Sequence, residues 1–277
     1  MSVSTDALRR SFRGIILAAA AMTLLAACSS NDEPAPYVER PVEELYNEAM
    51  DLFEQKEYSE AATAFDEVDR QHPYSIWATK AQLMTAYVHY LSDKYDEAII
   101  ALDRFIELHP GNPDTPYAYY LRAIAYYEQI TDVQRDQKIT RLALNALQDV
   151  AQRYPDTTYA RDALLKIDLA RDHLAGKEMA IGRFYLKRGE HLAAINRFRT
   201  VIQNYQTTTH VPEALHRLVE SYLSLGISDE AQMAAAVLGH NFPASQWYAD
   251  SYQLLEGKDL APEENQGWLS QMWDWVF

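Results

Sequence analysis

The 277-residue chain holds one cysteine, nine glycines, and 25 lysines and arginines against 40 aspartates and glutamates. A lone cysteine excludes an internal disulfide, so the fold must hold by packing alone. A formal charge of −15 lacks the basic footprint that phosphate backbones need, which excludes nucleic acid as a partner. Such a body also gains nothing from anionic head groups. Its acidity reads first as a solubility device, with a basic patch on a partner as the sharper alternative. Stretches combining Val, Ile and Thr are few, so strands are not expected. Motifs of chemistry are missing too. There is no Gly-x-Gly-x-x-Gly, no glycine-rich phosphate loop with Lys, no Gly-x-Ser-x-Gly, and no pair of histidines flanking a Glu at helical spacing. No enzymatic activity, metal or cofactor is expected. His72 and His109, each before a proline, read as donors at helix C-termini. Glu43-Glu44 and Glu263-Glu264 read as solvated surface.

What is present begins at the N-terminus. Arg9, Arg10 and Arg13 precede an apolar run from Ile15 to Leu25, too short to span a bilayer. Leu25-Ala26-Ala27-Cys28 closes it, followed by Ser29 and Ser30. A charged stretch, a short apolar stretch and small residues before a cleavage point make a signal peptide over residues 1–27. The segment resembles the lipobox of bacterial lipoproteins, which implies cleavage before Cys28, lipidation of its thiol and amine, and, with Ser29 next, the outer membrane. Removing residues 1–27 takes the formal charge to −17, three arginines and one aspartate being lost. Membrane affinity would then come from lipid, at about 0.8 kcal/mol per buried CH₂. Residues 28–40, with two prolines and no apolar period, read as a lipidated tether of ~40 Å reach.

From residue 41 the chain repeats. Tyr58-x-x-Ala61…Pro73 recurs as Tyr95-x-x-Ala98…Pro110, offset by 37. Ala143, Leu147 and Val150 continue the pattern before Pro155, then Ala194, Phe198 and Val201, then Ala231, Ala235 and Leu238 before Pro243. A period in the mid-thirties marks paired-helix repeats. First helices share a template: Leu45/Ala49/Leu52, Tyr119/Ala123/Tyr126, Glu178/Gly182/Tyr185 and Leu215/Val219/Tyr222. The small central residue, and an alanine in the second helix, let the two helices approach. The pattern resembles tetratricopeptide repeats and predicts an all-α superhelix of about five helix pairs, at 41–73, 78–110, 115–155, 175–206 and 211–243. The fourth has Gln206 where the others have proline, which leaves its end open. Residues 130–137, ITDVQRDQ, lengthen the third repeat's inner loop. The expected organisation is repeats one to three over 41–155, a connecting long helix over 156–189, and the remaining repeats with a capping helix over 190–256. Residues 158–188 keep helical apolar spacing except at Gly176, as one helix or two stacked ones.

With no catalytic constellation, the surface carries the function. First helices of such repeats line the side where peptides dock. Tyr46, Tyr87, Tyr90, Tyr119, Tyr120, Tyr126 and Tyr127 lie on them. Tyr126 reads as repeat core. The other six are candidates for a substrate groove, because adjacent or three-apart rings on one helix cannot all point inward.

The lipobox, five repeats and the stretches LDRFIELHP (102–110), Arg135-Asp136-Gln137 and Asn196-Arg197 together resemble the BamD (ComL/YfiO) family, the tetratricopeptide lipoproteins of the outer-membrane β-barrel assembly machinery. The resemblance covers about residues 28–245. It implies a scaffold and receptor on the periplasmic face of the outer membrane, without cofactor beyond the lipid on Cys28. It implies that Arg188, Asn196 and Arg197 face the POTRA domain of a BamA-like barrel-forming subunit, an arginine fork suiting carboxylates. BamC-like and BamE-like lipoproteins and unfolded outer-membrane proteins would be further partners, the last at the tyrosine-bearing helices. An alternative function for the same architecture is an adaptor for a pilus secretin or a cell-wall enzyme.

Residues 257–277 depart from the family pattern. A linker leads to Trp268, Leu269, Met272, Trp273, Trp275, Val276 and Phe277. This tail reads as a mimic of a barrel targeting signal that occupies the receptor groove, as a segment that docks on a membrane or partner, or as a short amphipathic helix on the last repeat.

Overall fold

The computed structural model describes residues 39–258. Cys28, the signal peptide, most of the tether and the aromatic tail lie outside that range. The described residues form eleven helices: α1 (Val42–Glu54), α2 (Tyr58–Gln71), α3 (Ile76–Leu91), α4 (Tyr95–Leu108), α5 (Thr115–Glu128), α6 (Lys138–Arg153), α7 (Thr158–Lys187), α8 (His191–Asn204), α9 (Val211–Ser224), α10 (Ser228–Asn241) and α11 (Gln246–Glu256). There is no strand among them. None of these helices is long and apolar enough to cross a membrane. Starts follow local chemistry. Ser75 and Thr157 accept from the amides of Ala78 and Ala160 at 3.0 and 3.1 Å, capping α3 and α7. Pro116 and Pro212 open α5 and α9, where a missing N–H costs nothing.

Consecutive helices pack against each other, and α1 also meets α3, α3 meets α5, α5 meets α7 and α9 meets α11. The pairing is set by size. Gly182 sits against Phe198, so close that a Cβ there would stand 2.4 Å from the ring. The same relation, 16 residues on, brings Ala49 with Phe65 and Ala86 with Leu102 into common cores. Where the first helix carries the larger Val219, the second carries Ala235, and both share the last core. A small side chain on one helix faces a larger one on the other in each pair, which lets the two helices approach. Ala61, Ala98, Ala143, Ala194 and Ala231 are all fully buried.

All five second helices end alike. His72, His109, Tyr154, Tyr205 and Phe242 cap α2, α4, α6, α8 and α10, each with φ between −127° and −138° and its amide donating to the carbonyl four residues back. The fourth repeat therefore stops at the expected place without proline. A ring residue with extended φ marks the stop better than Pro does. The histidine expectation needs revision for His109. Its ring does not serve its own helix end: Nε2 lies 2.8 Å from Gln82 Oε1 on α3, and the ring packs on Phe105. It ties the two helices of the second repeat to each other.

Residues 158–187 form one unbroken helix, α7, through Gly176. That glycine makes room: a Cβ would stand 3.2 Å from the His210 ring and 3.3 Å from Val133. The inserted residues 130–137 fold over this spot. Buried Gln137 organises them, its Nε2 donating to the carbonyls of Asp132, Val133 and Arg135 and its Oε1 accepting from Thr140. Lys177 Nζ donates to the Gln134 carbonyl at 2.8 Å, fastening the insertion to α7.

Candidate binding surfaces

The six candidate groove tyrosines divide into separate places. Tyr87 and Tyr90 on α3 and Tyr120 on α5 border two adjoining cores together with Tyr117 and Tyr159, whose rings meet at 5.7 Å. Tyr120 stacks on Tyr159 at 5.1 Å and its hydroxyl donates to Asp162 Oδ2 at 2.8 Å. Tyr87 leans on Phe53 and Tyr90 on Tyr95. Burial pushes the Tyr117 hydroxyl up to about 12. Burial, with the bond to Asp162, raises that of Tyr120. The Tyr117 and Tyr120 hydroxyls are therefore neutral at physiological pH.

The other three lie apart. Tyr119 turns toward the second helices, edge-on to Tyr154 with the Arg122 and Arg153 guanidinium groups over its ring. Tyr46 is wedged between Phe65 and Trp77. Tyr127 lies beneath Lys166 and lines a cleft against α7. The premise that adjacent rings cannot all pack was too strict. A first helix is flanked by its own second helix and by the next first helix, so Tyr119 and Tyr120 each find a packed side. All six are half-buried, their polar tips available but their rings committed to packing.

The cleft beside Tyr127 has a volume of about 670 Å³ and is walled by Ile130, Val133, Leu169, Gly176 and Arg183. At its floor Asp172 accepts from the Thr209 amide and hydroxyl at 3.1 and 2.8 Å. His173 Nε2 is buried there without a hydrogen-bond partner. Sequence reasoning missed this cleft; the insertion was its one visible signal.

The three candidate partner residues are not one cluster. Arg188 caps α7, exposed, bonded to Glu190 at 3.1 Å and stacked over Phe184. Arg197 reaches back from α8 to Glu178 Oε2 at 3.1 Å, about 15 Å down α7 from Arg188. Asn196 is exposed beside it. No group of three or more His, Cys, Asp or Glu placed to hold a metal ion occurs among the described residues.

A family model described as outer membrane lipoprotein, YfiO, matches residues 38–238. The chain belongs to the YfiO family. Two relatives, both named outer membrane protein assembly factor BamD, are similar over most of their length. That of Caulobacter vibrioides is 58% identical over 82% of this chain and 74% of its own. That of Rickettsia prowazekii is 49% identical over 84% of this chain and 92% of its own. Among solved structures, a thermophilic TPR protein of Thermus thermophilus aligns with a TM-score of 0.36 at 20% identity, over 76% of this chain and 98% of that one. The repeat architecture rests on the helix pairs themselves, not on that alignment.

Proposed function

We propose that this YfiO-family protein is an assembly factor of the outer membrane, acting without catalysis in the folding and insertion of β-barrel proteins. The observation that carries this reading is the 58% identity, over 82% of the chain, to a relative named for that role. Its finer parts are proposals. Lipid on Cys28 would hold the protein to the periplasmic face, and no other cofactor is needed. The tyrosine-bearing first helices of the N-terminal repeats would receive unfolded barrel proteins. Half-buried rings with donor tips make such a surface adhesive without being greasy. Arg188, Asn196 and Arg197 would meet a POTRA domain of a BamA-like subunit, with BamC-like and BamE-like lipoproteins as further partners. The Arg197–Glu178 pair is partly exposed and worth about 0–1 kcal/mol to the fold, so Arg197 can re-pair with a partner carboxylate at little cost.

The test is a mild-detergent pull-down of the tagged, lipidated protein from its own membrane, read by mass spectrometry. A POTRA-bearing barrel protein at near-stoichiometric yield is expected, with Arg197→Ala reducing that yield while leaving thermal stability within about 1 kcal/mol. A secretin or cell-wall hydrolase in its place overturns the reading.

A further inference from the structure

The ion pair that joins α7 to α8 differs from the one that joins α7 to α9. Glu213 of α9 holds Arg183 of α7 at 2.8 Å and Arg217 of its own helix at 3.5 Å, so it keeps a cation if either leaves. Glu178 of α7 has Arg197 of α8 as its one ion-pair partner among the described residues, at 3.1 Å. The arginine is the open member of that pair, its side chain 43% exposed against 21% for the glutamate. A carboxylate on another protein can therefore take Arg197 from outside. The group left behind is a glutamate mostly withdrawn from water, and such a charge is costly to strand unless a second cation replaces the first. A replacement stands close by. Glu178 lines a pocket of about 320 Å³ together with Arg135, Arg141, Lys177 and Tyr205. Lys177 is committed to the Gln134 carbonyl. Arg141, in the first turn of α6, is exposed and pairs with no carboxylate among the described residues. Its charge and that of Glu178 reach the same hydroxyl: burial raises Tyr205 above its ordinary value, Glu178 adds to the rise and Arg141 opposes it. Carboxylates outnumber cations in this chain of charge −15, yet this arginine is left unpaired in the same pocket as one.

We propose that Glu178 is a placeholder on Arg197, and that Arg141 receives it when a partner's carboxylate takes its place. The inference rests on the reading above, in which Arg197 meets the POTRA-bearing subunit. In the free protein Glu178 keeps the Arg197 fork extended and oriented, so little ordering remains to be done at docking. On docking, the partner's carboxylate accepts from Arg197, and Glu178 turns by side-chain rotation to Arg141 within the pocket. Two ion pairs then stand where one stood, and no carboxylate is left buried alone. The arrangement also selects. A surface without a carboxylate would break the existing pair and supply nothing to Arg197, which rejects neutral and basic surfaces at this point. Arg141 and Glu178 are thus specificity-determining residues for the same site, acting through Arg197.

The experiment is a pull-down of the full-length, lipidated protein from its own membrane, reading the POTRA-bearing protein retained after a wash at fixed salt. Glu178→Gln keeps a hydrogen-bonding side chain but removes the competing charge. It should raise retention about two- to fivefold, the scale of a partly exposed ion pair. Arg141→Gln should lower retention by a similar factor in the parent and have no effect in the Glu178→Gln background. Arg141→Lys, which keeps the charge, should retain as the parent does. A purely structural role predicts the opposite sign for Glu178→Gln and equal losses for Arg141→Gln in both backgrounds; either result overturns the proposal. Arg197→Ala separates this inference from the reading beneath it. If that variant loses the partner while Glu178→Gln gains nothing, the placeholder alone is overturned. If Arg197→Ala changes nothing, or the parent captures no POTRA-bearing protein, the reading falls and the placeholder with it.

Discussion

The two halves of the body solve the same packing problem differently. In the C-terminal half, nineteen buried side chains among the described residues make one continuous core from Ala175 to Leu255. In the N-terminal half, twenty make three separate cores, rimmed by Tyr46, Tyr87, Tyr90, Tyr119, Tyr120, Tyr126 and Tyr127. Polar ties join successive repeats in both halves: Asp69 accepts from Gln82 at 2.8 Å and pairs with Arg104, Asp103 pairs with Arg122, and Arg183 pairs with Glu213 at 2.8 Å. The turns differ as well. Between first and second helices the chain passes through positive φ at Lys56 and Asp93 in the N-terminal half and at Gly189 and Gly226 in the C-terminal half. A continuous apolar core and relaxed turns suit a rigid mount. Separate cores and strained turns suit a surface that adapts, which fits the division of labour proposed above between barrel subunit and unfolded client.

The comparison is broken most directly by removing one large buried ring from each half. Phe198→Ala and Phe65→Ala should each cost about 3–5 kcal/mol. They should differ in how far the damage spreads. Hydrogen exchange should rise across the second half of α7 and through α8–α11 for Phe198→Ala, and only across α1–α3 for Phe65→Ala. Equal spread in both would show that the three N-terminal cores act as one.

Next in size is the close approach of Gly182 to Phe198. Gly182→Ala places a methyl against the Phe198 ring and should cost about 1–3 kcal/mol, read by chemical denaturation. Combining it with Phe198→Leu should recover part of the loss, since the two positions share one volume. Additive losses would mean that the spacing is set elsewhere.

Acid should loosen the far end of the C-terminal half. Burial pushes the Glu220 carboxyl up, but its bonds to His216 and Arg217 outweigh that and hold it below the usual carboxylate range. Arg217 Nη1 donates to Glu220 Oε2 at 2.6 Å and lies over Trp247 of α11, while buried His216 meets Ser251 of α11 at 2.8 Å. A depressed folded value means stability that is present above the unfolded value, about pH 4, and lost as pH falls through the folded one. Glu220→Gln should flatten the acid slope of unfolding below about pH 4. An unchanged slope would remove Glu220 from the account.

Much of this was legible in sequence because repetition is. Ala61 and Ala98 lie 37 residues apart, as do Ala194 and Ala231, and all four are fully buried, since two helices can only meet where side chains are small. The helix ends were legible for the wrong reason: prolines drew attention, whereas the ring residues before them, with Tyr205 in the repeat that lacks proline, mark every stop. The tyrosines were half legible. Their number pointed to a surface, but spacing along one helix cannot show that a first helix has two packed flanks. The cleft was not legible, because it arises where the insertion meets α7, far apart in the chain. Gln137 gave no pattern at all: a residue that bonds three carbonyls of its own loop looks like any other polar loop residue.

The smallest effects sharpen the contrast between the turns. Left-handed backbone costs a residue with a side chain about 1–2 kcal/mol more than it costs glycine. Lys56 sits at φ 63° and Gly189 at φ 74°, and a Cβ built at Gly189 meets nothing within 4 Å. Lys56→Gly should therefore stabilise the protein and Gly189→Ala destabilise it, each by about 1 kcal/mol, with no change in packing. Thermal unfolding of the two variants and their double combination checks this; the double variant should return close to the parent. If Lys56→Gly also weakens capture of an unfolded barrel protein at constant fold, the strain in the N-terminal turns is part of what holds that surface ready. If capture is unchanged, the strain is incidental and adaptability resides in the separated cores alone.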